Sequence, residues 1–83
     1  MLLADAAHRH GAKISIELVH AGRGVHPELI KSKWALAPSN FPIPGQYPYI
    51  KEMDQHDIEE TIACYVDCAK RLKRAQFDGV LVH

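Results

Sequence analysis

The feature that most constrains this chain is an amphipathic helix set between two short apolar runs. Over residues 55–75, Ile58, Ile62, Tyr65, Val66, Ala69 and Leu72 recur at helical spacing and form one apolar stripe. Asp54 stands at the N-cap, with Asp57 three residues on as a weaker version of a capping box. Asp57, Glu59 and Glu60 lie toward the positive end of the helix dipole; Lys70, Arg71, Lys73 and Arg74 lie toward the negative end. Before the helix, Ile14, Ile16 and Leu18 alternate with Ser15, Glu17 and Val19 between Gly11 and a His20-Ala21-Gly22 break, which predicts a strand. After it, Phe77-Asp78-Gly79 turns the chain, and Val80-Leu81-Val82-His83 reads as a short buried strand. Strand, helix and strand in this order make a βαβ unit with parallel strands and a right-handed crossover. Parallel strands are normally covered on both faces, so two of them do not form a covered sheet alone.

The remaining segments are a helix end and a long excursion. Residues up to about 10 read as the end of a helix, with Leu2, Leu3, Ala6 and Ala7 as a short apolar face and Gly11 as its C′ residue. The stretch from His20 to Met53 holds all five prolines and three of the five glycines, and only one turn, around 27–32, keeps any period. A βα loop of that length, about residues 20–53, is functional or disordered in a compact domain. Trp34, Phe41, Tyr47 and Tyr49 favour an ordered excursion that packs on something, because disordered linkers are poor in aromatics.

Composition narrows the function classes. Eighty-three residues make at most one small domain, and a formal net charge of zero gives no basic stripe for nucleic acid or an anionic membrane. No apolar run approaches the roughly 18 residues that span a bilayer. The first residues carry no basic n-region or sustained apolar stretch of a secretory signal, which points to the cytoplasm. Cys64 and Cys68 stand four apart on one helix face, unlike a C-x-x-C redox or zinc site, and read as two small buried or half-buried residues. His8 and His10 are two apart, and His20 and His26 six apart; neither spacing is a zinc motif, so no metal is expected.

In α/β folds ligands sit at the carboxyl ends of parallel strands, on the loops that follow. That rule selects Glu17, His20 and Arg23 after the first strand and His83 after the second. Two stretches here, Ile16-Glu17-Leu18-Val19-His20-Ala21-Gly22-Arg23 and Ala37-Pro38-Ser39, resemble the Q-L-x-H-A-G-R strand and the A-P-S loop of the Old Yellow Enzyme family of NAD(P)H:flavin oxidoreductases. The helix from Asp57 through Ala69-Lys70-Arg71, followed by Phe77-Asp78-Gly79-Val80-Leu81-Val82-His83, resembles the family's helix and its E-x-A-G-F-D-G-V-E-I-H strand. The four motifs occur in the family's order across essentially the whole chain.

The resemblance implies an α/β segment holding about strands 3 and 4, with the intervening helix, of a (β/α)8 TIM barrel that carries FMN at its mouth. A barrel takes roughly 200–250 residues, so residues 1–83 would be a partial FMN-binding barrel. Hydride from NAD(P)H would pass through the flavin to the activated C=C bond of a small unsaturated substrate, as in enoate, enone or dienoyl-CoA reductases. By the same resemblance His83 is the catalytic donor to the substrate oxygen; otherwise it is a frayed terminal residue. Glu17 falls where the family has a Gln facing the flavin pyrimidine. An ionised Glu only accepts hydrogen bonds, so Glu17 is expected to stay protonated or to pair with a cation such as Arg23; an exposed strand-end carboxylate is the alternative. His20 and Arg23 are further cofactor-binding candidates. His20 either lines the mouth or orders the loop, and Arg23 is read mainly as a loop-ordering ion pair. Gln76 replaces the family's left-handed helix-ending Gly, so the helix is expected to end differently or to be slightly less stable. An iron–sulfur cluster, which some relatives carry, would lie outside this segment. The alternative to an enzyme segment is a truncated, non-catalytic chain with no independent activity.

Overall fold

The long helix begins where two aspartates close its first turn on each other. In the computed structural model, which describes residues 2–30 and 33–83, α2 (Gln55–Arg74) follows Asp54, whose Oδ1 accepts from the Asp57 N–H at 2.8 Å. Asp57 Oδ2 in turn accepts from the Asp54 N–H at 3.1 Å, so this is a complete capping box built with Asp in place of Glu. Lys51 Nζ joins Asp57 at 2.8 Å and Asp54 at 3.5 Å. The Lys51 ammonium first, and the Asp54 N–H second, hold the Asp57 carboxyl below its ordinary range. Asp57 is the buried charged side chain among the described residues, and this full set of partners makes its burial tolerable.

Both helices end in the same way. α1 (Leu2–Arg9) closes on Gly11 at φ 77°, with Gly11 N–H donating to His8 O at 2.9 Å and Ala12 N–H to Ala7 O at 3.1 Å. α2 closes on Gln76 at φ 67°, with Gln76 N–H donating to Lys73 O at 3.0 Å and Phe77 N–H to Leu72 O at 3.1 Å. These are paired Schellman bonds. The altered helix end expected from Gln76 does not occur. The glutamine takes the left-handed conformation, because two satisfied terminal carbonyls offset a penalty of about 1–2 kcal/mol.

β1 (Ser15–Leu18) pairs in parallel with β4 (Gly79–Val82), in register from Ser15↔Gly79 to Leu18↔Val82. Ile16 and Leu18 are half-buried, while Ser15 and Glu17 are exposed. The burial expected of β4 is not found. Val80, Leu81 and Val82 are 37%, 57% and 72% exposed, since two strands supply no second covering layer. Helix α2 behaves similarly. Thr61, Tyr65, Cys68, Ala69 and Leu72 are sheltered, whereas Ile58, Ile62 and Val66 stay exposed, so the single stripe read from the sequence divides into a packed row and an open one.

The excursion is ordered and contains two strands that the sequence did not announce. β2 (Ala35–Ala37) pairs in parallel with β3 (Ile50–Glu52). Ala35, Ala37 and Ile50 form a small core against which Val25 and Tyr47 pack. Short 3₁₀ turns occupy Gly22–Gly24 and Pro27–Leu29; the latter is the turn expected around 27–32, whose residues 31 and 32 lie outside the described residues. Pro44-Gly45 make the centre of a type II turn, with Gly45 at φ 83° and Gln46 N–H donating to Ile43 O at 3.0 Å. Trp34 and Tyr47 each meet Tyr49 edge-on at 5.9 and 5.6 Å, and Lys33 Nζ sits 4.1 Å from the Tyr49 ring centre. The chain thus forms two compact units, residues 20–60 and the two flanking stretches 1–19 and 61–83. No helix among the described residues is long and apolar enough to cross a membrane.

Candidate functional site

Glu17 and His83 belong to the flanking unit and are brought together by strand pairing. Glu17 lies opposite Leu81 in the β1–β4 ladder. The ladder continues one residue past β4, where His83 N–H donates to Leu18 O at 2.8 Å. Side chains alternate along a strand, so Glu17, Leu81 and His83 share one face at the carboxyl ends of the two strands. Ile16 and Leu18 occupy the opposite, half-buried face. The Tyr65 hydroxyl, reaching from α2, donates to the His83 carbonyl at 3.0 Å and holds that strand end from the helix side. Nothing in the sequence singled out Tyr65 beyond its place in an apolar stripe; its hydroxyl was the available signal, since a half-buried phenol needs a partner. Glu17 itself is exposed and makes no ion pair among the described residues.

His20 and Arg23 belong to the other unit, and both are turned to its loop. His20 Nδ1 accepts from the Gly22 N–H at 3.1 Å, which leaves the proton of the neutral ring on Nε2. The Arg23 guanidinium donates through one terminal nitrogen to Ser39 O at 3.1 Å and Ser39 Oγ at 2.8 Å, and through the other to Phe41 O. The H-A-G-R and A-P-S motifs, sixteen residues apart, are thereby joined by a single side chain. Arg23 orders the loop as the sequence suggested, but its acceptors are carbonyls and a hydroxyl. Among the described residues of its own unit this guanidinium has no carboxylate partner, so neutral acceptors stand in place of the expected ion pair. A fork of fixed N–H donors matches two carbonyls and a serine oxygen as readily as it matches an anion.

At the amino ends of β1 and β4, Asp78 collects a second set of partners. Its Oδ2 accepts from Ile14 N–H at 2.9 Å and faces His8 Nε2 at 2.7 Å, while its own N–H donates to Ile14 O at 2.9 Å. The Ile14 N–H, then the His8 ring and the charge of Lys13, hold the Asp78 carboxyl below its ordinary range. Among the described residues no three His, Cys, Asp or Glu side chains converge as a metal site would require. Cys64 is exposed and Cys68 half-buried, both as free thiols.

Parallel strands flanking an amphipathic helix define the α/β class. Residues 1–83 match the family model of the NADH:flavin oxidoreductase / NADH oxidase family, and the chain belongs to this family, of Old Yellow Enzyme type. It is 40% identical over 81 residues to an NADH oxidase of Thermoanaerobacter brockii, a match covering 98% of this chain and 12% of that protein. It is 43% identical over 83 residues to an NADPH dehydrogenase of a Geobacillus species, covering 98% of this chain and 23% of the relative. A protein named metal reductase from Desulforamulus reducens is 42% identical over 80 residues, or 12% of its length. The chain therefore spans a quarter or less of these relatives. No solved structure matches it.

Proposed function

We propose that these 83 residues are the part of an FMN-dependent (β/α)8-barrel reductase that brings Glu17 to the cofactor and His83 to the substrate. The observation that carries this reading is the register of β1 against β4, which sets both side chains on one open face at the carboxyl ends of the strands. In a barrel that face is the interior, and its carboxyl end is the mouth where substrates bind. Family membership supports FMN and NAD(P)H as the redox partners.

The residues fit one edge of FMN. An ionised Glu17 accepts from a ring N–H, and its exposure on the strand face leaves it open to do so. On that loop the Arg23 donors already serve Ser39 and Phe41, Lys33 lies on the Tyr49 ring and Lys51 pairs with Asp57, so in this reading the phosphate is assigned to other parts of the barrel. When bound, the flavin supplies the hydride chemistry. His83 then donates an N–H to the substrate carbonyl oxygen and stabilises the negative charge that develops there. Tyr65 and the Leu18 carbonyl fix the backbone that carries it. The proposed substrate is a small molecule with a C=C bond conjugated to a carbonyl. The 83 residues by themselves have no activity in this reading.

The test uses the full-length protein that carries this segment, loaded with FMN and supplied with NAD(P)H and a simple enone. His83→Ala is expected to lower kcat/KM for the enone about 100-fold and to leave reduction of the bound flavin by NAD(P)H intact. Unchanged enone turnover in this variant would overturn the role given to His83. Glu17→Gln is expected to raise the flavin midpoint potential, because it removes a negative charge that disfavours the anionic reduced ring. An unaltered potential would remove Glu17 from the flavin edge.

A further inference from the structure

The β4 sequence does not choose its own register. Val80, Leu81 and Val82 are all apolar, so a slip of one residue against β1 exchanges one apolar face for another at little hydrophobic cost. The slip would nevertheless be decisive for the site. With Leu18 opposite His83 in place of Val82, His83 would join the face of Ile16 and Leu18 and leave that of Glu17.

Two independent features oppose it, both at the amino end of the pair. Asp78 and Ile14 exchange hydrogen bonds: Asp78 N–H to Ile14 O at 2.9 Å, and Ile14 N–H to Asp78 Oδ2 at 2.9 Å. His8, in the last turn of α1, adds its ring to the same oxygen at 2.7 Å and ties the helix to the turn. Next to it, Gly79 fits against Ser15 so closely that a Cβ there would lie 2.9 Å from Ser15 Oγ. Sliding β4 by one residue toward its amino end would bring Val80 to this position and break the exchange with Ile14.

We propose that Asp78 and Gly79 form a register lock and that Asp78 is a positioning residue. From the amino end of the strands, it keeps Glu17 and His83 on a common face at the carboxyl end. The functional meaning of that face rests on the flavin reading above; the lock does not.

Disulfide trapping tests it on the exposed face, in a background with Cys64 and Cys68 replaced by Ser. Glu17→Cys with Leu81→Cys reports the observed register, and Glu17→Cys with Val82→Cys reports the slipped one. Under mild oxidation the first pair is expected to form about tenfold faster than the second, the ratio set by one hydrogen bond to a charged acceptor. Asp78→Ala is expected to bring the two rates to within about twofold of each other. Asp78→Asn is expected to restore the preference, because its side-chain oxygen still accepts from Ile14. A preference that survives Asp78→Ala, or none in the parent with Asp78 intact, overturns the lock. FMN titration of the full-length protein with Asp78 intact separates the two ideas. A register preference without flavin binding keeps the lock and removes the flavin reading.

Discussion

Gln76 shows how a single residue departs from its local preference because its neighbours compel it. Its φ of 67° is a conformation that glycine adopts freely and glutamine does not. Gln76→Gly is therefore expected to stabilise the chain by up to about 1 kcal/mol, read as a rise in the urea midpoint with unchanged slope; a fall would mean that the glutamine side chain makes a compensating contact. Asp78 and Asp57 are the other residues whose chemistry is set by their surroundings. Both carboxyls sit below their ordinary value of 3.8, Asp78 chiefly through the Ile14 N–H and Asp57 chiefly through Lys51. A lowered folded-state value means that the unfolded chain takes up the proton first. The stabilisation is thus complete above the ordinary value and is lost as pH falls through the lowered one. Asp78→Asn should then flatten the acid limb of the stability curve, measured by circular dichroism between neutral pH and about pH 2. An acid limb as steep as the parent's would show that Asp78 is not a source of it. Lys51 has the opposite sense: Asp57 raises it above 10.5, so its contribution holds below that value and fades only in strong base.

Among the elements, α2 is the one whose start and end are both explained by named side chains. The N-terminal capping exchange predicts that Asp54→Ala costs about 1 kcal/mol, checked by thermal unfolding, while Asp54→Ser or Asp54→Asn restores most of it. The helix, both flanking strands and the end of α1 were legible in the sequence, because each has a period or a cap carried by adjacent residues. The strand pair β2–β3 was not. Ala35-Leu36-Ala37 has no β-branched residue and reads as well for helix as for strand. It is a strand because Ala35 N–H donates to Tyr49 O at 2.8 Å and Ala37 O accepts from Met53 N–H at 2.9 Å, partners more than a dozen residues away. Arg23 acts at the same scale. Its hold on Ser39 and Phe41 predicts that Arg23→Ala increases amide exchange across residues 35–52, whereas Arg23→Lys, with one point charge for a planar fork, restores it only in part.

Among the described residues, the buried apolar ones are Ala4, Ala35, Ala37 and Ile50, none of them larger than an isoleucine. Against these stand Leu2, Leu3, Ile62, Val66, Leu81 and Val82, each between about half and nine-tenths exposed. So little burial cannot offset the backbone entropy of ordering this many residues by a wide margin. The isolated chain is therefore expected to be marginally stable and to self-associate through its open strand edges and apolar rows. Sedimentation velocity over a range of concentrations measures this, and a stable monomer would contradict it. The same open faces accord with a segment that covers only 12–23% of the NADH oxidase and NADPH dehydrogenase it most resembles among the proteins named above.

The sequence by itself determined the class of the chain: parallel strands around a capped amphipathic helix, a family signature spread over four motifs, and the candidates Glu17, His20, Arg23 and His83. These follow from local rules, since periodicity, capping and turn chemistry act between residues a few positions apart. Only the tertiary structure decided which candidates share a face and which are turned to their own loop. Glu17 and His83, separated by 66 positions, are related through the β1–β4 register, and that register depends on Asp78 meeting Ile14 across the sheet. The Arg23 guanidinium is committed to the carbonyls and the hydroxyl of its own loop. Long-range pairing of this kind leaves no period in the sequence, because each partner satisfies a requirement set by a residue far along the chain.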